Sequence, residues 1–157
     1  MPIVLTRIDD RLIHGQVTIG WGKIYKPGII AVVSDEISFS SWEKELCLTA
    51  LPEYIEGIVT NKENAPETIN KINSDKRASF ILFESPKDAY ETILKGAEIK
   101  EINVGGIHSR KGKREIIDYI FVDENDIKYI KALNEKGIKL DFRDLPESKN
   151  IDILSMI

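Results

Sequence analysis

Apolar residues recur along this chain in short runs, and the runs alternate between two spacings. Ile3–Ile8, Ile29–Val33, Gly57–Thr60, Ser79–Phe83 and Ile102–Val104 have the largely apolar character of strands in a sheet covered on both faces. Ile116–Val122 and Ile138–Phe142 extend the series to about seven strands. Helical patterns lie between them. Gln16–Lys26 can start a helix directly after the first strand. Ser41–Leu51 sets Trp42, Leu46 and Ala50 at four-residue spacing, which predicts a core-facing stripe. Asn64–Ile72 is amphipathic, with Pro66 in its first turn. Ser85-Pro86-Lys87-Asp88 opens a helix with an N-cap serine, and Ala89, Ile93 and Leu94 form its stripe before Gly96 closes it. Asp123 caps another helix, with Asp126 in its first turn, Ile127, Ile130 and Leu133 facing inward, and Gly137 as its stop. Asn150–Ile157 reads as a short terminal helix.

This alternation predicts a single α/β domain over residues 1–157, a mostly parallel, open, twisted sheet of about seven strands with helices on both faces. The loop His108–Arg114 is too short for a crossover helix, so the strand near Ile116–Val122 is the expected antiparallel member. Right-handed crossovers place the loops after the first, second, fourth and fifth strands on one rim. That rim collects Asp9, Asp10, Arg11, His14, Asp35, Ser85, Gly105 and Gly106. Open α/β sheets bind ligands beyond the carboxyl ends of their strands.

Composition narrows the function classes. A net charge of −4 gives no support to general nucleic-acid or membrane-surface binding. No apolar run approaches the roughly 18 residues that span a bilayer, and Met1–Thr6 lacks the basic and apolar regions of a secretion signal. The one cysteine, Cys47, cannot form an internal disulfide and reads as a small buried hydrophobe, which fits a reducing cytoplasm. Gly20-Trp21-Gly22 lacks the third glycine of a dinucleotide fingerprint. Gly106 and Gly112-Lys113 are one residue too far apart for a P-loop, and Arg114 stands where Ser or Thr would hold magnesium. With two histidines, one cysteine and no HxxxH or CxxC pair, no metal site is expected.

The densest chemistry lies in Arg7-Ile8-Asp9-Asp10-Arg11-Leu12-Ile13-His14-Gly15-Gln16-Val17, at a strand-to-helix turn. A free imidazole titrates near pH 6.5, so much of it is an unprotonated nucleophile at neutral pH, and a neighbouring arginine favours that form. Arg11 can fork onto phosphate oxygens. Asp9 or Asp10 can accept a hydrogen bond from the opposite ring nitrogen and fix the tautomer. Gly15 leaves room for a phosphoryl oxygen, and a helix starting there presents free N–H groups to an anion. His14, Arg11 and Asp9 are therefore the candidate catalytic residues, with Gly15, Gln16 and Asp10 as the phosphoryl-binding surroundings. Asp35, Ser85, Gly105, Gly106 and His108 flank them. His108 reads either as a second catalytic group or as part of a solvated basic loop with Arg110, Lys111, Lys113 and Arg114; the functional version of that loop is a docking patch or a cover for a bound phosphoryl group.

That motif, with Trp21 after it, resembles the signature of the IIB subunits of the mannose/fructose/sorbose family of the bacterial phosphoenolpyruvate-dependent sugar phosphotransferase system. The likeness extends through Val32-Val33-Ser34-Asp35-Glu36, Pro86-Lys87-Asp88-Ala89, Ile102–His108 and Gly112-Lys113-Arg114. The resemblance implies a phosphohistidine at His14, formed on the ring nitrogen nearer the backbone, with Arg11 beside it and Asp9 supporting it. It implies a IIA phosphodonor, a sugar acceptor and membrane IIC and IID subunits, no cofactor, and peripheral association with that transporter; it also admits a homodimer. Ser34 and Ser85 depart from the family pattern, which touches loop contacts and not the histidine. The readings from other classes are a regulatory protein on the same fold and a module that binds a phosphorylated ligand without transferring the group.

Overall fold

The computed structural model describes residues 2–157. Its strands are β1 (Ile3–Asp9), β2 (Ile29–Val33), β3 (Glu56–Thr60), β4 (Ser79–Phe83), β5 (Glu101–Gly106), β6 (Arg114–Ile117), β7 (Ile120–Val122) and β8 (Lys139–Asp141). Six form one sheet in the order β3-β2-β4-β1-β5-β8, with every neighbouring pair parallel. A π-helical segment, Gln16–Trp21, continues into α1 (Gly22–Tyr25). The other helices are α2 (Asp35–Ser38), α3 (Ser41–Thr49), α4 (Ala65–Asn73), α5 (Pro86–Leu94) and α6 (Glu124–Glu135), and a 3-10 turn at Ile153–Met156 ends the chain.

The direction of each connection decides which face its helix covers. The steps from β1 to β2 and from β2 to β3 run toward one edge. Their helical segments pack with Leu5, Ile30, Val32, Phe80 and Leu82 on one face. The steps from β3 to β4, β4 to β5 and β5 to β8 run the other way. There α4, α5 and α6 pack with Ile8, Ala31, Val33, Ile81, Phe83, Ile102 and Val104 on the opposite face. Crossovers of one hand require this division. It makes β1 the strand where the winding diverges, and the crevice of such a sheet opens at that point.

The helix ends follow the side-chain chemistry. The Ser85 hydroxyl accepts from the Asp88 N–H at 3.1 Å, and Pro86 opens α5. Asp123 and Asp126 cap α6 reciprocally, at 2.8 and 3.2 Å. Gly96 and Gly137 end their helices at φ +112° and +84°, in the left-handed region.

Three expectations change. Ile116–Val122 is not one antiparallel strand of the main sheet; it breaks at Asp118-Tyr119 into the β6–β7 hairpin. The hairpin leans on the end of β5, where the Ile107 N–H donates to the Tyr119 carbonyl at 3.0 Å and the Phe121 N–H to the Ile107 carbonyl at 2.8 Å. The edge beside β5 is taken by β8. On α3, Trp42 and Leu46 point outward, 72% and 57% exposed, and Cys47, with Leu51 just past the helix end, packs on the core. Two apolar stripes one residue apart compete there, and packing selects the second. Leu94 of α5 is exposed as well. Trp42→Ser is therefore expected to change unfolding stability in urea by less than about 0.5 kcal/mol, as for an ordinary surface position; a loss of several times that would put Trp42 in the core.

Candidate functional site

β1 enters the site carrying two charges that a strand buried on both faces cannot leave unpaired. Arg7 and Asp9, alternate residues and so on the same face, are both fully buried. All the Arg7 donors are used. Nε and Nη2 donate to Asp9 Oδ2 at 3.3 and 2.8 Å, and Nη2 also to Gln16 Oε1 at 3.3 Å. Nη1 donates to Asn103 Oδ1 at 2.8 Å and to the Asp144 carbonyl at 2.9 Å. Asn103 is the residue paired beside Arg7 on β5. The guanidinium occupies the space where a Cβ on Gly105 would lie, so glycine at 105 is what lets it sit flat against the strand.

After Asp9 the chain reverses sharply. Leu12 adopts φ +58°, a left-handed conformation that costs a leucine roughly 1–2 kcal/mol. Its N–H donates to the Asp9 carbonyl at 2.9 Å and its side chain is buried, which holds the turn. The reversal carries His14 back to the strand end, where Nε2 lies 2.8 Å from Asp9 Oδ2. Burial pushes the Asp9 carboxyl up, but the hydrogen bond from His14 and the charge of Arg7 outweigh it and hold the group well below the usual carboxylate range. An ionised carboxylate only accepts, so Nε2 of His14 carries a proton, and in the neutral ring the lone pair is then on Nδ1.

Arg11 closes the other side of Asp9. Its N–H and Nε donate to Oδ1 at 3.0 and 3.3 Å, and its Nη2 to Oδ2 at 3.3 Å and to Gln16 Oε1 at 2.7 Å. Its Nη1 makes no hydrogen bond among the described residues, and the side chain is 38% exposed. The Gly15 and Gln16 N–H groups are likewise unpaired among the described residues, and open space surrounds Gly15. The π-helical segment then begins, with the Val17 and Thr18 N–H groups both on the His14 carbonyl at 3.0 Å. Its buried Trp21 donates to the same Asp144 carbonyl as Arg7, at 2.9 Å.

The remaining sequence candidates separate. Asp10 does not reach His14; its carboxylate accepts from the His108 N–H at 2.8 Å and lies 2.5 Å from His108 Nδ1. Gly106 packs beside the Asp9 carboxylate. Asp35 accepts from the Lys62 N–H at 2.8 Å and belongs to a separate charged cluster with Lys62 and Asp88. Ser85 is an N-cap. Gln16 turns its side-chain oxygen to the two arginines. Arg7, Asn103, Trp21 and the Asp144 carbonyl support the site, although the sequence gives them no named role. One signal was present: an arginine and an asparagine inside otherwise apolar strands must find partners in the core.

Residues 3–157 match the family described as PTS system sorbose subfamily IIB component. The fructose-specific EIIB component of Bacillus subtilis is 34% identical over all of this chain and 96% of its own length. The mannose-specific EIIAB component of Escherichia coli is 37% identical over all of this chain and 50% of its own length, so the chain spans about half of that protein. Among solved structures, the IIB domain of the sorbose permease of Klebsiella pneumoniae superposes with a TM-score of 0.88 at 32% identity, covering 99% of this chain and 95% of that one. Among the described residues no helix is long and apolar enough to cross a membrane. This chain belongs to the sorbose-type IIB components of the sugar phosphotransferase system.

Proposed function

We propose that this chain is a phosphocarrier whose His14 accepts a phosphoryl group from a IIA partner and passes it to a sugar during uptake through membrane subunits. The observation that carries the reading is the hydrogen bond from His14 Nε2 to Asp9, because it leaves Nδ1 as the nucleophile. The EIIAB relative, whose other half lies outside the match, supports a IIA phosphodonor.

In the first step Nδ1 attacks phosphorus in line, the donor's N–P bond breaks and an Nδ1–P bond forms. In the second, a sugar hydroxyl oxygen attacks, the Nδ1–P bond breaks and the hydroxyl proton is released to solvent. Phosphoryl transfer asks for positioning and charge compensation more than covalent help. Arg11 Nη1 and the N–H groups of Gly15 and Gln16 donate to the phosphoryl oxygens. Asp9 holds the ring in one tautomer and stabilises it while it bears the phosphoryl group, and Arg7 holds Asp9.

The test is transfer from phosphoenolpyruvate through enzyme I, HPr and the IIA protein of the same operon, followed by mapping of the label. The expected product is an acid-labile, alkali-stable phosphate on Nδ1 of His14, absent from His14→Ala. Full labelling of His14→Ala, or label at another residue, overturns the reading.

A further inference from the structure

We propose that His108 is a second ligand of the phosphoryl group on His14, donating from Nε2 to a phosphoryl oxygen while Asp10 holds its Nδ1. The proposal rests on the carrier reading of His14. The chain's two histidines stand on adjacent aspartates with opposite ring nitrogens engaged. Asp9 takes Nε2 of His14 and leaves Nδ1 open. Asp10 takes Nδ1 of His108 and leaves Nε2 open, with no hydrogen bond to it among the described residues. Asp10 also accepts from the His108 backbone N–H, so this residue is gripped at two points. One ring nitrogen of His108 and one oxygen from each of Asp9 and Asp10 all lie within 4.8 Å of one another. His108 therefore shares a neighbourhood with the Asp9 carboxylate that holds His14, and its side chain is 41% exposed.

The charges around this pair favour such a contact. Asp10 is only 10% exposed, and His108 is its ion-pair partner among the described residues. A carboxylate that buried gains most when the ring is an imidazolium. Asp9 does not compete for His108, since Arg7, Arg11 and His14 already occupy it. The other charged groups beside Asp10 are Glu84 at the end of β4 with Asp88 of α5, Arg110 and Lys113 of the His108 loop, and Asp126 of α6. Lys113 is tied to Asp126 at 2.8 Å. A phosphoryl group on Nδ1 of His14 adds negative charge to this rim, and the open Nε2 of a protonated His108 is a donor able to meet it.

The test uses phosphoramidate, a small donor that needs no partner protein: an Nδ1–P bond forms as ammonia leaves. The ring nitrogens of both histidines are followed by 15N–1H correlation across the titration range, before and after labelling. The titration midpoint of His108 is expected to rise by about one pH unit, a tenfold tighter proton, when His14 carries the group. The same treatment of His14→Gln is expected to leave it unmoved. Label on His14 with an unmoved His108 overturns this proposal and leaves the carrier reading intact. Label from phosphoramidate with a moved His108, but none from the IIA partner, supports the contact and overturns the carrier reading. Label on His108 in place of His14 overturns both.

Discussion

On the proposed carrier role, Asp9→Asn is expected to lower the rate at which His14 accepts a phosphoryl group by up to about 10⁴-fold, the loss found where an orienting aspartate of a catalytic histidine becomes an amide. The cause is the tautomer. An asparagine turned to offer its NH₂ to His14 drives the ring proton from Nε2 to Nδ1, the nitrogen that must attack. That orientation also sets the NH₂ against the Arg7 guanidinium, which donates to the same oxygen; turned the other way, the NH₂ meets the Arg11 N–H and Nε, which donate to the other oxygen. Either way Arg7 keeps its charge in a buried site without a counter-charge, and losing one partner of such a pair costs about 3–5 kcal/mol. The pH dependence follows from the lowered Asp9 carboxyl. A group whose folded pKa is depressed contributes stability above its unfolded value and loses it as pH falls through the folded one. The stability gap between wild type and Asp9→Asn is thus full at neutral pH and narrows below about pH 4. Initial rates of label transfer and urea unfolding at several pH values check both parts; an unchanged rate in the folded variant would remove the tautomer argument.

Gly105→Ala is the second large effect. The added methyl coincides with the Arg7 guanidinium, whose far side is closed by Asn103, Asp144 and Asp9. Either the arginine leaves its partners or β5 separates from β1. We expect a loss of about 3–5 kcal/mol, the scale of breaking a buried charge network. Gly15→Ala is the matched control, because its methyl meets nothing within 4 Å among the described residues. Denaturant melts of the two variants side by side separate the close approach at 105 from any general intolerance of alanine. Equal stability of the two would mean that Arg7 has room to move.

Much of this was legible in the sequence, and what was not has a common cause. Local chemistry spoke clearly: Ser85 and Asp123 cap their helices, and Gly96 and Gly137 end theirs. The family motif put His14, Asp9 and Arg11 within reach of one another because a single tight turn joins them. Asp9 and Asp10 could not be told apart by type. Position separates them, since Asp9 is the last residue of the strand and points to the buried face, and Asp10 lies beyond it and meets the loop after β5. Arg7 kept its role hidden because its partners Asn103 and Asp144 are 96 and 137 residues away. The outward turn of Trp42 and the hairpin at Ile116–Val122 were likewise settled by packing partners elsewhere in the chain.

Those long separations have a consequence for how the protein is made. Translation delivers His14 well before Asp144, whose carbonyl fixes Arg7 beneath it. Chains emerge N-terminus first, and contacts of high sequence separation form late and slowly. A nascent chain halted after α5 carries the whole motif from Arg7 to Val17 but neither Asn103 nor Asp144. Its histidine would have the right neighbours in sequence without the buried arginine that sets them in place. Under the proposed carrier role, the motif therefore gains its supporting contacts only after Asp144 has been made.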